Sequence, residues 1–340
     1  MQSNSRRAVT APAGPQLSTS FAGLLADEDV LAPMLRWLNE GQRVALVTLA
    51  SVEGGAPRQP GSQMAVAADG RYAGYLSGGC LEQAVALEAQ AAIAEGRNRL
   101  VRYGEGSPYF DIQLPCGSGL DLYFDQTIDR YLLSEMMARR TQRGTFALHT
   151  NLSTGTTAIE DIASSKAVPQ SRRDGDMLAT IYAPALRLLL IGNGPALAAM
   201  AALASATGIE LTIHSDDEPT RDQIAATGLE GCLRDLGRAD AVGQLDFASA
   251  AVLFFHAHDQ EPDLLERLLR TPSFYIGALG NHAVHRERLE LLTRRGFAQS
   301  DLSRIRAPVG LIAGAKSKAT LAVGVLAELM TEAKARNLIC

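Results

Sequence analysis

A cysteine framed by glycines at the start of a helix is the first chemical feature of this chain. In the stretch from Leu76 to Gly96, Gly78 and Gly79 precede Cys80, and the residues beyond it read as a helix. A thiol at that place feels the positive end of the helix dipole, which lowers its pKa and makes it a better nucleophile or soft metal ligand. The other reading of Cys80 is a small buried hydrophobe in a tight turn. Glu82 falls in the first helical turn, where the dipole favours an acid. Cys116, in L-P-C-G-S-G, is either a thiol on an open glycine loop or a buried structural one. Arg58, between turn-forming prolines, can pair with a phosphate or remain a solvated loop charge.

A second glycine turn lies far along the chain. Gly192-Asn193-Gly194 sits between the apolar run L-R-L-L-L-I and an alanine-rich helix, the context of a phosphate or dinucleotide site. Leu197 stands where the third glycine of G-x-G-x-x-G belongs. His214-Ser215 ends the next strand where an acidic ribose partner is expected, and Asp216 and Asp217 come late. This counts against NAD(P) held in the standard way, and the alternative is a turn kept for packing. His258 and Asp259 follow A-V-L-F-F, at the carboxyl end of a strand where α/β proteins bind ligands. The pair can fix an imidazole tautomer, orient a ligand, hold a metal with His256, or simply cap its own loop. Lys316 and Lys318 flank a helix start and read as phosphate attractors or as surface charges.

The elements that must carry these residues divide the chain. Residues 1–25 are polar and rich in Pro, Gly and Ser, and read as a flexible tail; Arg6-Arg7 has no apolar segment behind it. Residues 26–150 read as a smaller α/β domain. Its parts are an amphipathic helix with Val30, Met34, Leu35 and Leu38 on one face and Gly41 as stop, the strand V-A-L-V-T-L-A-S-V, and a hairpin reversing at Asp69-Gly70. After Cys80 comes a helix burying Leu81, Ala84, Val85, Ala89, Ala92 and Ile93 and stopping at Gly96. Residues 151–183 are polar and read as a weak hairpin and linker. Residues 184–340 alternate apolar strands with helices, which predicts a Rossmann-like parallel sheet.

With 340 residues and a net charge of −5, the chain has length for two cores and no basic face for nucleic acid. No apolar run reaches membrane length. Cys80, Cys116, Cys232 and Cys340 are scattered without a C-x-x-C, so free thiols in a reducing cytoplasm are expected.

Taken in order, G-G-A-P-R-Q-P-G-S, S-G-G-C-L-E, L-P-C-G-S-G, L-L-L-I-G-N-G-P-A-L, H-A-H-D, Y-I-G-A-L-G-N and R-I-R-A-P-V-G-L-I-A-G-A-K-S-K resemble the XdhC/CoxI family of xanthine dehydrogenase accessory proteins. The likeness covers roughly residues 30–126 and 184–330. It implies a chaperone, more than an enzyme, that binds molybdenum cofactor (molybdopterin), assists its sulfuration, and inserts it into the apoenzyme of a molybdenum hydroxylase. A cysteine desulfurase as partner, a cytoplasmic location and a homodimer are implied with it. The resemblance makes Cys80 the soft ligand to molybdenum, with Gly78, Gly79, Cys116, Arg58, Gly192, Gly194, His258 and Asp259 around the cofactor. The competing expectations are an NAD(P)-dependent oxidoreductase and a thiol enzyme carrying persulfide on Cys80. The cofactor is too large for one loop, so the two glycine turns are expected to face one cleft, within a chain or across a dimer.

Overall fold

The computed structural model describes residues 29–56, 58–77, 79, 81–107, 117, 119–163, 167–234, 240–255 and 261–339. The first half is built around one strand buried on both faces. β1 (Val44–Glu53) pairs antiparallel with β2 (Gln63–Ala67) and β5 (Gly119–Asp125). With β3 (Tyr72–Ala73) and β4 (Arg99–Gly104) it makes a five-stranded sheet ordered β3-β2-β1-β5-β4. Successive side chains of a strand point to opposite faces. Ala45, Val47 and Leu49 therefore meet Val85, Ala89 and Ile93 of helix α2 (Glu82–Glu95). Val44 and Leu46 meet Leu31, Met34 and Trp37 of helix α1 (Leu31–Asn39) on the other face. Cores on both sides explain why β1 reads as a continuous apolar run. The buried face of α1 includes Leu31 and Trp37, while Leu35 and Leu38 of the expected face are only partly covered. Gly96 ends α2 in the left-handed conformation, and the Asp69-Gly70 hairpin forms as expected.

The stretch read as a weak hairpin and linker holds most of a sheet. Helix α3 (Arg130–Thr141), capped by the Asp129 carboxylate on the Leu132 amide, leads into β6 (Thr145–Asn151). β7 (Thr157–Ile162), β8 (Arg172–Asp174) and β9 (Met177–Tyr182) complete an antiparallel sheet ordered β7-β6-β9-β8. Its outer strands keep polar residues toward solvent, so β7 alternates half-buried and exposed positions and β8 is largely exposed. Such strands carry a weak apolar signal.

The second half is a doubly wound parallel sheet. β10 (Arg187–Gly192), α4 (Pro195–Ser205), β11 (Glu210–His214), α5 (Glu218–Ala225) and β12 (Leu233–Arg234) form one side of it. β13 (Ser249–Phe254), α6 (Glu261–Leu269), β14 (Tyr275–Ala278), α7 (His282–Arg294) and β15 (Ile305–Arg306) form the other. The order is β12-β11-β10-β13-β14-β15, and α8 (Lys318–Ala335) packs beside α4. Leu188 and Leu190 point into the α4–α8 core, Leu189 and Ile191 into the α6–α7 core. Full burial of each such side chain is worth about 1.5–3 kcal/mol.

The halves are tied at the amino edge of this sheet. Arg143 reaches Asp246 (2.6 Å) and Glu210 (3.1 Å), and the Val168 amide donates to the Arg336 carbonyl at the end of α8 (2.9 Å). Burial pushes the Asp246 carboxyl up, but the Arg143 guanidinium and Ser249 hydroxyl outweigh it and hold the group below the ordinary value. Among the described residues, no helix is long and apolar enough to cross a membrane.

Candidate functional site

The turn before α2 is organised by one buried carboxylate. Glu82 is 2% exposed, at the first position of the helix, and its side chain folds back under the turn. Oε1 accepts from the amides of Leu76 (3.0 Å) and Ser77 (2.9 Å), and Oε2 from those of Gly79 (2.9 Å) and Leu81 (3.1 Å). The Ser77 hydroxyl donates to Oε2 (2.9 Å) and accepts from the Leu81 amide (2.9 Å). Burial alone raises the carboxyl's pKa; the hydrogen bonds from the Ser77 amide and its neighbours outweigh burial, and the net shift is downward. The side chain expected only to complement the helix dipole is thus the acceptor on which the turn is wound. The sequence signal was a serine and a glutamate five residues apart across Gly78-Gly79, a longer relative of the capping box.

Gly79 is exposed at φ +112°, and among the described residues no atom lies within 4 Å of where its Cβ would stand, so a bulky group can approach the backbone there. Gly78 and Cys80 lie outside the described residues, as do Cys116, His256, His258 and Asp259.

The turn stands next to the proline-rich loop. A Cβ on Gly74 would strike the Gln63 carbonyl and Val30, and one on Gly61 (φ +93°) would strike Ser171. These close approaches seat the chain before Tyr75 on β2, and the loop on the segment leading to β8. Between them is a cavity of about 560 Å³, whose walls include Arg58, Gln63, Tyr75, Arg140, Tyr182 and Asn337. Tyr182 donates to Gln63 Oε1 (2.9 Å), Gln63 donates to Thr48 (3.1 Å), and Arg140 pairs with Asp29 (2.7 Å). Burial raises the Tyr182 phenol, which stays protonated.

The second glycine turn is closed on itself. Gly192 lies at φ +129°, and a Cβ there would run into the Phe254 carbonyl, so only glycine fits. The Asn193 amide donates to that carbonyl (3.0 Å), and the Gly194 amide donates to Thr220 Oγ1 (2.7 Å). The Thr220 hydroxyl in turn donates to Asp217 (2.5 Å), whose carboxylate also caps α5 through the Thr220 amide (2.9 Å). The side-chain amide of Asn193 lies 2.9 Å from Ser215 Oγ. Pro195, first in α4, has no N–H to offer. The Asn193 and Gly194 amides are therefore occupied by the protein itself, and the late acid Asp217 is spent as a cap.

Beside this turn, at the carboxyl edge of the sheet, a cavity of about 400 Å³ is lined by Pro195, Ala196, Gly280, Lys316 and Lys318. Arg288, buried in α7, pairs with Glu261 through both carboxylate oxygens (2.8 Å each) and donates to the Leu279 carbonyl (2.8 Å). That pair, not foreseen from sequence, fixes α6 directly after His258-Asp259 and joins it to the end of β14. Within one chain the two glycine turns do not share a described cavity: Arg58 and Tyr75 line one, and Pro195 and Gly280 the other.

The profile of the XdhC and CoxI family matches residues 37–104, and that of the XdhC Rossmann domain matches residues 188–329. The chain is 36% identical to the molybdenum cofactor insertion chaperone PaoD of Escherichia coli (strain K12), over 86% of this chain and 84% of that one. It is 24% identical to a probable xanthine dehydrogenase subunit of Bacillus subtilis (strain 168), over 87% and 95% of the two chains. A crystal structure described as a xanthine dehydrogenase from Bacillus halodurans superimposes with a TM-score of 0.70 at 21% identity, covering 90% of this chain and 96% of that one.

Proposed function

This chain belongs to the XdhC and CoxI family, and on that premise we propose that it carries molybdenum cofactor as cargo and inserts it into the apoenzyme of a xanthine dehydrogenase-type molybdenum hydroxylase. The observation that carries the reading is the 36% identity, over most of both chains, with a protein named as a molybdenum cofactor insertion chaperone. The Glu82-wound turn supports it physically. A rigid loop with an exposed glycine lets a large ligand reach the backbone, and the sulfur of Cys80 is the kind of soft donor that suits molybdenum. In this reading the chain also shelters the cofactor while a terminal oxo ligand is exchanged for sulfido, with sulfur supplied by a cysteine desulfurase. It works in the cytoplasm as a homodimer. Nothing in the reading calls on the closed Gly192–Gly194 turn to hold NAD(P).

The test is cargo retention. The chain is purified from cells that make the cofactor, the bound pterin is oxidised, and its fluorescence is read per protomer. Wild type is expected to carry pterin and Cys80→Ser, which keeps the volume but removes the soft sulfur, to lose most of it while staying folded. Absence of pterin from wild type, with nucleotide bound in its place, overturns the reading.

A further inference from the structure

We propose that the face formed by the loop before α8 and the outer side of that helix docks the client apoenzyme, through a client surface that is apolar at its centre and acidic at its rim. This rests on the cofactor-carrying reading above, which requires a protein to receive the cargo.

The first observation is where apolar surface collects. Among the described residues, Tyr72, Leu87, Leu100, Tyr131 and Met177 are exposed on five different elements. Single exposed apolar side chains of that kind are ordinary. Leu311, Ile312 and Val323 (58%, 43% and 49% exposed) are not single. The Leu311 amide donates to the Gly324 carbonyl (3.1 Å), and a Cβ on Gly324 would stand 3.2–3.4 Å from the backbone nitrogen and side chain of Ile312. The loop therefore lies against α8 next to Val323. Ala313 on the loop, with Thr320 and Ala327 a turn before and after Val323, extend the exposed surface without adding a charge. Contiguous apolar surface on a soluble chain marks a place of contact.

The face is held ready. Gly310 lies at φ +101°, and its amide donates to Glu328 Oε2 (2.9 Å), which also accepts from the Tyr275 phenol (2.5 Å). Glu332, one turn later, is taken by Arg306 and Arg336 (2.6 Å each). Both carboxylates of α8 are thus turned to partners within the chain. The loop is fixed before anything docks, so docking costs little in ordering.

Charge selects the partner. From Val309 to Ala327 the chain has no acid and two bases, Lys316 and Lys318, in a molecule of net charge −5. Both lysines are exposed, and neither forms an ion pair among the described residues. A closed dimer would bury the same patch on both copies. The lysines would then meet only apolar groups and like charge, which slows encounter and costs affinity. A client surface with carboxylates around an apolar centre satisfies both features.

The test measures binding of the full chain, purified with its cargo, to the apoenzyme of the same cell's xanthine dehydrogenase-type hydroxylase, made without the cofactor. Leu311→Glu/Val323→Glu puts two carboxylates into the apolar centre; Lys316→Glu/Lys318→Glu reverses the rim. The first is expected to weaken binding about tenfold or more, as loss of an interface's apolar centre predicts, with pterin per protomer, oligomeric state and thermal midpoint as in wild type. The second is expected to slow association several-fold at low salt and to flatten its salt dependence. Wild-type affinity in the first variant, or wild-type association rates in the second, overturns the docking face while leaving the cofactor-carrying reading intact. So does a first variant that falls to a smaller oligomer, which gives the face to a second copy of this chain. A lowered midpoint in the first variant leaves the second to decide. A wild type that carries pterin and binds no apoenzyme removes the client as occupant; one that carries no pterin fails the functional reading, and the client as occupant with it.

Discussion

Two glycine turns precede two helices in this molecule, and in each the protein itself takes up amides among the described residues. In the first, the carboxylate of Glu82 takes four backbone donors directly. In the second, the donors go to neutral groups, the Phe254 carbonyl and the Thr220 hydroxyl, and a carboxylate enters only one bond further on, through Asp217. The first turn is bound by a buried charge, next to a cavity carrying Arg58. The second is bound by packing, around a glycine that no other residue can replace. A helix start after glycine is therefore not in itself an anion site, because what matters is where the N–H groups already go.

The largest effect expected from this contrast is at Glu82. Glu82→Ala leaves the buried Leu76 amide, the half-buried Ser77 amide and the Ser77 hydroxyl without their acceptor, while the Leu81 amide keeps Ser77 Oγ. Each buried donor so orphaned costs about 1–3 kcal/mol, and water entering the gap recovers part of it. The expected loss is about 4 kcal/mol, read by urea unfolding of the first half. A loss below about 1 kcal/mol would mean that the carboxylate does not hold the turn.

The next effect is one of pH and sharpens the claim that charge is the difference. The folded-state pKa of Glu82 is lowered, so its contribution is complete above the unfolded value, about 4.3, and is lost as pH falls through the folded value. Asp125 behaves oppositely. Burial holds its carboxyl above the ordinary value against hydrogen bonds from Thr127 and Asn98. Its contribution is present below the unfolded value and lost as pH rises through the folded one. The stability gap between wild type and Glu82→Gln should therefore be widest near neutrality and narrow as pH falls below the unfolded value of about 4.3 and through the lowered folded one. A gap constant over that range would sink the ionic account of the turn.

What the sequence made legible follows from burial. The parallel sheet showed itself because L-L-L-I and A-V-L-F-F are covered on both faces, which leaves no polar alternation to confuse them. The α2 face was readable from alanine and valine at helical spacing, and Gly96 marked its end. The sheet from Thr145 to Tyr182 was not readable in full. β7 and β8 turn much of their surface to water, and the two hairpins β6–β7 and β8–β9 become one sheet only through the pairing of β6 with β9, some thirty residues apart in the chain. In the site, the thiol turn and Arg58 were visible as types in a glycine- and proline-rich setting. The use of Glu82 was not, since an acid at a helix start has an adequate local explanation and only the folded-back side chain reveals another. Thr220 and Asp217 were hidden as well: Asp217 read only as an acid that comes late, and the bond of Thr220 to the Gly194 amide depends on where β10 ends.

The smallest expected effect belongs to the second turn. Thr220 is 1% exposed, and its hydroxyl both accepts from Gly194 and donates to Asp217. Valine has nearly the same shape, so Thr220→Val removes those bonds without opening a cavity. The Gly194 amide then lacks a partner, but it lies at a half-buried position where water can replace the hydroxyl. Asp217 keeps its capping bond to the residue 220 amide. The cost should be about 1 kcal/mol, the ordinary worth of one hydrogen bond, measured by urea unfolding of the parallel-sheet half. Pterin retention should stay at the wild-type level, because the cofactor-carrying reading does not call on this turn. The variant also releases an amide at a helix start, so it is the form best placed to bind an anion there. Titration with a dinucleotide should nevertheless show no saturable binding, given Pro195 without an N–H and the Asn193 amide still on Phe254. A loss near about 4 kcal/mol would put Thr220 on a par with Glu82 and erase the distinction between a charged and a packed turn. Dinucleotide binding gained on removing one hydroxyl would show the second turn to be a blocked nucleotide site, not a packing element.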